Sequence, residues 1–163
     1  LAPATRRERV SKIGDAIIYQ VGAFVGSQVT IAFFAAIFVA IMGMALQLPY
    51  SAALGVLILI VALIPLIGHF IGGSIVTLVA LTQSPTKGLL AILLYTAYVQ
   101  IENYIITPRI MRRSLSIPGL VTITAALLGT SLLGLVGGVL AVPLAAAVML
   151  IMNEVIFPKA DQS

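Results

Sequence analysis

Ile64-Pro65-Leu66-Ile67-Gly68-His69-Phe70-Ile71-Gly72-Gly73 joins a helix breaker to three glycines and carries no formal charge. It lies in the middle of an apolar segment running from Ser51 to Leu81. Each flanking half is therefore about 14 to 16 residues, short of the roughly 20 needed to cross 30 Å of hydrocarbon. A loop that met water would be more polar. The stretch reads as the tip of a re-entrant hairpin over 49–82, two half-helices meeting at a break inside a membrane. Irregular backbone at that depth is tolerated only where protein buries it or a wet cavity faces it.

The rest of the chain fits the same solvent. Of 163 residues, 61% are apolar and 9% charged, against roughly 25% charged in a soluble domain. No charge occurs in 16–86 or in 114–153. A water-soluble globule, a disordered tail and a collagen-like fibre are excluded. The net charge of +4 raises nucleic acid as a partner, but the Lys and Arg residues flank apolar segments, which points to membrane orientation instead. The chain has no cysteine and one histidine, His69, so disulfides, thiolate chemistry and a multi-histidine metal cluster are not expected. No cofactor is expected either. Position 1 is Leu, and the chain reads as a piece of a longer protein with no signal peptide in view.

Thr5-Arg-Arg-Glu8 has capping-box spacing. Val10, Ile13, Ile17, Val21 and Phe24 then recur at helical steps opposite a basic face, so 1–24 reads as an amphipathic juxtamembrane helix. Val25–Leu46 is a first span and 88–107 a second; 118–157 repeats the broken pattern of 49–82, and 158–163 is a polar tail. Residues 25–157 thus form one transmembrane unit. At an offset of 69, Pro49 falls on Pro118, Pro65 on Gly134, Leu66 on Leu135 and Gly68 on Gly137, the punctuation expected of an internal repeat. Eight positive residues (Arg6, Arg7, Arg9, Lys12, Arg109, Arg112, Arg113 and Lys159) fall on one side and Lys87 alone on the other, placing both chain ends in the cytoplasm. The first hairpin then opens outward and the second inward, an inverted repeat of the kind secondary transporters use. Two complete spans in place of each hairpin would give the same parity.

The chemistry concentrates in Tyr95-Thr-Ala-Tyr98-Val-Gln100-Ile-Glu102-Asn103-Tyr104. On a helix, Thr96, Gln100, Asn103 and Thr107 share one face, and Tyr95, Tyr98 and Glu102 the adjacent one. A carboxylate within a span marks a proton carrier, cation ligand or substrate acceptor. The alternative is structural: Glu102 pairs with Arg109, Arg112 or a neighbouring subunit. His69 either titrates at the tip or is a satisfied, water-facing side chain. Gly134, Gly137 and Gly138 with Pro143 mark the second tip, as Ile64, Pro65 and Gly68 mark the first. Pro108, Arg109, Arg112 and Arg113 form a cytoplasmic basic loop. Enzyme motifs are missing: Gly129-Thr-Ser131-Leu lacks a nucleophile elbow, and there is no phosphate loop.

Ile64-Pro-Leu-Ile-Gly68, Gln100-x-Glu-Asn103, Pro108-Arg-x-Met111 and Gly134-x-x-Gly-Gly138-x-x-Ala-x-Pro143, in that order and spacing, resemble the autoinducer-2 exporter family of bacterial permeases, over the family's C-terminal half. The resemblance implies a homo-oligomeric permease of the cytoplasmic (inner) membrane. It also implies export of autoinducer-2 or, for some members, Na⁺(Li⁺)/H⁺ antiport. Many members place an acid just before the Ile-Pro, where Val61-Ala-Leu63 stands here; the resemblance supplies this hairpin with no carboxylate for cation coupling.

The expected architecture is an all-α polytopic membrane protein with two transmembrane helices and two broken, re-entrant hairpins in an inverted repeat. Its expected partners are the lipid bilayer, copies of itself, and a small polar solute or a cation and protons. Its expected function is alternating-access transport through Thr96, Tyr98, Gln100, Glu102, Asn103 and His69. The competing readings are a non-transporting assembly subunit and a passive channel, the latter needing a continuous polar pore.

Overall fold

A computed structural model describes residues 4–111 and 119–155. Every regular element among them is helical. Helix α1 (Ala4–Ala45) runs unbroken, so residues 4–24 and 25–45 form one rod. Its segment Gly14–Ala45 and the later Pro85–Ile110 are long and apolar enough to cross a membrane. Their outward faces carry Phe33, Phe34, Ile37, Ile41 and Met44, and Leu89, Leu90, Ile92 and Leu93, all exposed. Apolar cover on this scale costs little in lipid and a great deal in water.

A tight turn with Gln47 and Tyr50 in left-handed conformations (φ 53° and 58°) reverses the chain into α2 (Ser51–Val61). Helix α2 runs antiparallel to α1 at close range. A side chain on Gly43 would meet Ser51, and one on Gly55 would lie 2.9 Å from the Ala36 carbonyl. Small residues permit this approach where no hydrophobic effect drives helices together. Thirteen buried residues spread over α1 to α4, including Val39, Ile58, Val76 and Ala91, form the main core.

The first break is shorter than the sequence suggested. It occupies 62–66, and the flanking helices are 11 and 17 residues long, α2 and then α3 (Ile67–Gln83), not two equal halves. Pro65 alone suffices to end the helix, since it lacks an N–H and clashes with the preceding turn. Leu66 sits at φ 65°, ψ −55°, and the Ile67 N–H donates to the Pro65 carbonyl at 2.7 Å. That pattern is a γ-turn of the strained hand. Gly68, Gly72 and Gly73 lie inside α3, where they serve packing. Gly68 abuts the Val61 carbonyl, Gly72 abuts Ile58, and a Cβ on Gly73 would fall 2.6 Å from the Tyr95 ring.

Ser84 caps α4 (Pro85–Ile101), its Oγ accepting from the Lys87 N–H at 3.1 Å with Pro85 in the first turn, as helix starts favour. The Lys87 Nζ donates to the Gln47 carbonyl at 3.3 Å, tying the two loops at this end. Helix α4 continues through one π-helical turn, Glu102–Ile106, into α5 (Thr107–Ile110). Helix α6 (Gly119–Val155) is broken at Leu133 and Gly134, where the backbone leaves helical geometry. The break thus falls at the start of the expected 134–138 segment. Gly137 and Gly138 belong to the returning arm, whose backbone touches the outgoing arm at Gly129 and Gly137. The Ile64 side chain lies 3.3 Å from a Cβ placed on Gly138. Ile64 also joins Phe24, Ala126 and Val142 in a second core. The first break therefore packs against the arms of α6.

Candidate functional site

Glu102 begins the π-turn of the α4 rod and is 2% exposed. An ionisable side chain at such depth must be paired and hydrogen-bonded or it is expensive. Its partner comes from the first broken hairpin: Glu102 Oε1 lies 2.7 Å from His69 Nε2. The other ring nitrogen, Nδ1, lies 3.1 Å from the Tyr95 hydroxyl. Tyr95 is held there because Gly73 leaves room for its ring. Tyr98, one turn before Glu102, is buried with its ring stacked on Phe38 of α1 at 4.3 Å. The Tyr98 hydroxyl and Glu102 Oε2 are both buried and meet no hydrogen-bond partner. A π-turn inside an α-helix inserts an extra residue and is frequent at functional sites.

Glu102 lines a cavity of about 230 Å³. Gln28 from α1, His69 from α3, Asn103 and Thr107 from the α4 rod, and Thr122 from α6 complete its polar lining. Gln28 is buried and its Nε2 donates to the Ala62 carbonyl at 2.8 Å, an acceptor released where α2 ends. A second cavity, of about 630 Å³, lies between α3 and α4 and includes His69, Ser74, Thr77, Tyr95 and Thr96 in its wall. No Lys or Arg lines either cavity among the described residues. Nor do those residues contain a cluster of three His, Cys, Asp or Glu side chains able to hold a metal.

The expected site residues separate into groups. Glu102, His69 and Asn103 converge on the first cavity, and Tyr98 lies beside them. Thr96 faces the second cavity, while Gln100 is exposed and lines neither. Ile64 and Pro65 stand at the first break and Gly134 (φ 63°) at the second; Gly68, Gly137 and Gly138 are buried within four residues of them, and Pro143 is buried further along the returning arm of α6. Glu102 pairs with His69, not with Arg109, whose side chain is exposed along with Pro108. Arg112, Arg113, Lys159 and the tail 158–163 lie outside the described residues.

Sequence reasoning left Gln28 out of the site and did not place Tyr95 in it. A lone amide one turn inside an apolar span was the available signal for Gln28. For Tyr95 it was the glycine pair that seats its ring.

A helical membrane protein with two long apolar helices, two interrupted ones and a buried carboxylate between them is the class these features define. The chain belongs to the AI-2E family of transporters, whose family model matches residues 1–157. It is 31% identical over 153 residues to YrrI and 28% identical over 148 residues to YueF, both of Bacillus subtilis (strain 168). It is 36% identical over 108 residues to MT0215 of Mycobacterium tuberculosis (strain CDC 1551 / Oshkosh). These alignments cover 93%, 91% and 66% of the chain. All three relatives are classed, provisionally, as transport proteins by name. The chain spans 43%, 40% and 28% of their respective lengths. No solved structure matches.

Proposed function

We propose that this chain forms the solute path of a permease in the bacterial cytoplasmic membrane. It moves a small polar solute such as autoinducer-2, or a cation in antiport with protons, by alternating access. The observation that carries the reading is Glu102: nearly inaccessible, gripped by a histidine from a broken hairpin, and in the wall of a cavity that reaches α1 and α6. A scaffold role asks for a carboxylate turned to a subunit contact, whereas this one is engaged within its own chain.

The hairpins act as re-entrant elements. Helix α2 rises only about 16 Å at 1.5 Å per residue, roughly half a hydrocarbon core. The two breaks, at Pro65-Leu66 and Leu133-Gly134, lie 68 positions apart, within one residue of the sequence offset of 69, which supports an inverted repeat. Both chain ends lie in the cytoplasm in this arrangement, and the permease works as a homo-oligomer.

The test is counterflow of autoinducer-2, and separately uptake of Na⁺ against a pH gradient, in proteoliposomes of the full-length protein. Flux of one of them above protein-free liposomes is expected, with Glu102→Gln slower by roughly tenfold or more, the scale of a lost proton-transfer group. Flux no greater than in empty liposomes for both probes would overturn the proposal.

A further inference from the structure

The two cavities share only three residues in their walls, Leu66, His69 and Val99. His69 is the only one of the three with polar side-chain atoms. Its Nε2 meets Glu102, which lines the first cavity and not the second. Its Nδ1 meets Tyr95, which lines the second and not the first. A hydrogen-bonded chain, Tyr95 to His69 to Glu102, therefore passes through the partition. We propose that this chain of three side chains is a proton path between the two cavities and that protons crossing it are coupled to the transport cycle. The coupling rests on the transport reading above; the path itself rests on the geometry.

The steps balance with O–H and N–H bonds alone. In the Nε2–H tautomer, His69 donates to Glu102 Oε1, and the Tyr95 hydroxyl donates to Nδ1. A proton reaching the Tyr95 oxygen from the second cavity displaces the hydroxyl's own proton onto Nδ1. The Tyr95 hydroxyl is thereby restored and an imidazolium stands beside the carboxylate. The Nε2 proton then passes to Glu102 Oε1, and rotation of the carboxyl group about its Cγ–Cδ bond turns the protonated oxygen away from His69 to the first cavity, whose wall Glu102 forms, where the proton leaves. Tautomer exchange at His69 resets the path, and each step is reversible. Histidine and carboxylate chains within membranes serve such relays because each group's charge is offset by the hydrogen-bonded neighbour that takes up or gives the proton. The titratable side chains facing His69 are Glu102 and Tyr95, with Tyr98 adjoining Glu102, all on the α4 rod. The described parts of α1, α2 and α6 place none in either wall. Ser74, Thr77 and Thr96 give the second cavity hydroxyls that can order an entering water.

The full-length protein, reconstituted with an entrapped pH-sensitive dye, is driven by a K⁺ diffusion potential set with valinomycin. Proton influx above protein-free liposomes is expected. His69→Gln and Tyr95→Phe should each lower it by roughly tenfold or more, while Tyr50→Phe, an exposed loop tyrosine, stays at the wild-type rate. Tyr95→Phe removes one oxygen and leaves the His69–Glu102 pair in place, so it decides the matter if His69→Gln fails to assemble. Wild-type influx through assembled Tyr95→Phe protein, or no influx in the wild type, would overturn the path. Autoinducer-2 counterflow on the same vesicles separates the two ideas. Counterflow with variant-insensitive proton influx sinks the path alone. Variant-sensitive proton influx without autoinducer-2 or Na⁺ flux upholds the path and sinks the solute reading.

Discussion

Glu102 concentrates the chemistry of the chain because burial, pairing and a place in a cavity wall coincide on one side chain. Glu102→Gln keeps shape and most hydrogen bonding but removes the titratable charge. Flux per assembled molecule should fall roughly tenfold or more, or lose its dependence on pH, while yield and oligomer size stay near wild type. Unchanged flux across pH, with altered melting, would assign the residue to structure. Glycines make a second residue-scale contrast. A methyl group on Gly68 would collide with the Val61 carbonyl, whereas Gly22 has open space around it. Gly68→Ala should therefore lower the melting temperature in detergent strongly, because backbone must move to admit it. Gly22→Ala should be neutral or raise stability by about 0.5–1 kcal/mol through helix propensity. Equal melting of the two variants would mean the tight hairpin does not form.

At the scale of elements, the first hairpin is a helix interrupted and then braced. Ending α2 at Val61 frees carbonyls that lipid cannot satisfy, and Gln28 supplies a donor from α1 across 34 residues of sequence. Gln28→Leu removes that donor and leaves the Ala62 carbonyl buried and unpaired, a loss of about 1–3 kcal/mol. The check is thermal unfolding in detergent, where a Gln28→Leu melting curve superimposed on the wild type would show that the brace contributes nothing. The π-turn has the complementary effect on the α4 rod. It turns Glu102 toward the break while Asn103 and Thr107 still reach the same cavity. The strained γ-turn at Leu66 places a non-glycine residue in a costly conformation within the partition, at about 1–3 kcal/mol.

For the whole molecule, the packing of the first break against α6 links the first hairpin to the second. Ile64 against Gly138 joins them, and the cavity beneath draws walls from α1, α3, the α4 rod and α6. Single cysteines at His69 and Gly137 test the topology, since this chain has none of its own. Membrane-impermeant maleimide should label each poorly from the face opposite its hairpin mouth: the cytoplasm for position 69, the outside for position 137. Labelling of both from those faces at the rate of loop controls would replace the re-entrant hairpins with complete spans.

The helical class and the membrane solvent were legible in the residues themselves. A charge-free stretch of such length leaves the backbone no solution but internal hydrogen bonding, and prolines and glycines mark where that bonding stops. Glu102 was legible for the same reason, as a carboxylate within an otherwise uncharged span. Its partner was not. His69 and Glu102 are 33 positions apart, and helical periodicity relates only residues a turn or two from each other. Only the packing of α3 on the α4 rod could bring them to 2.7 Å. The same limit hid the role of the glycines. Gly72 and Gly73 look like a loop in a string of letters, yet they lie within a helix and seat the side chains of Ile58 and Tyr95. Composition determines which solvent the chain must live in and where its helices can end. Tertiary structure decides which buried polar atoms find one another, because that depends on contacts between segments that no local pattern encodes.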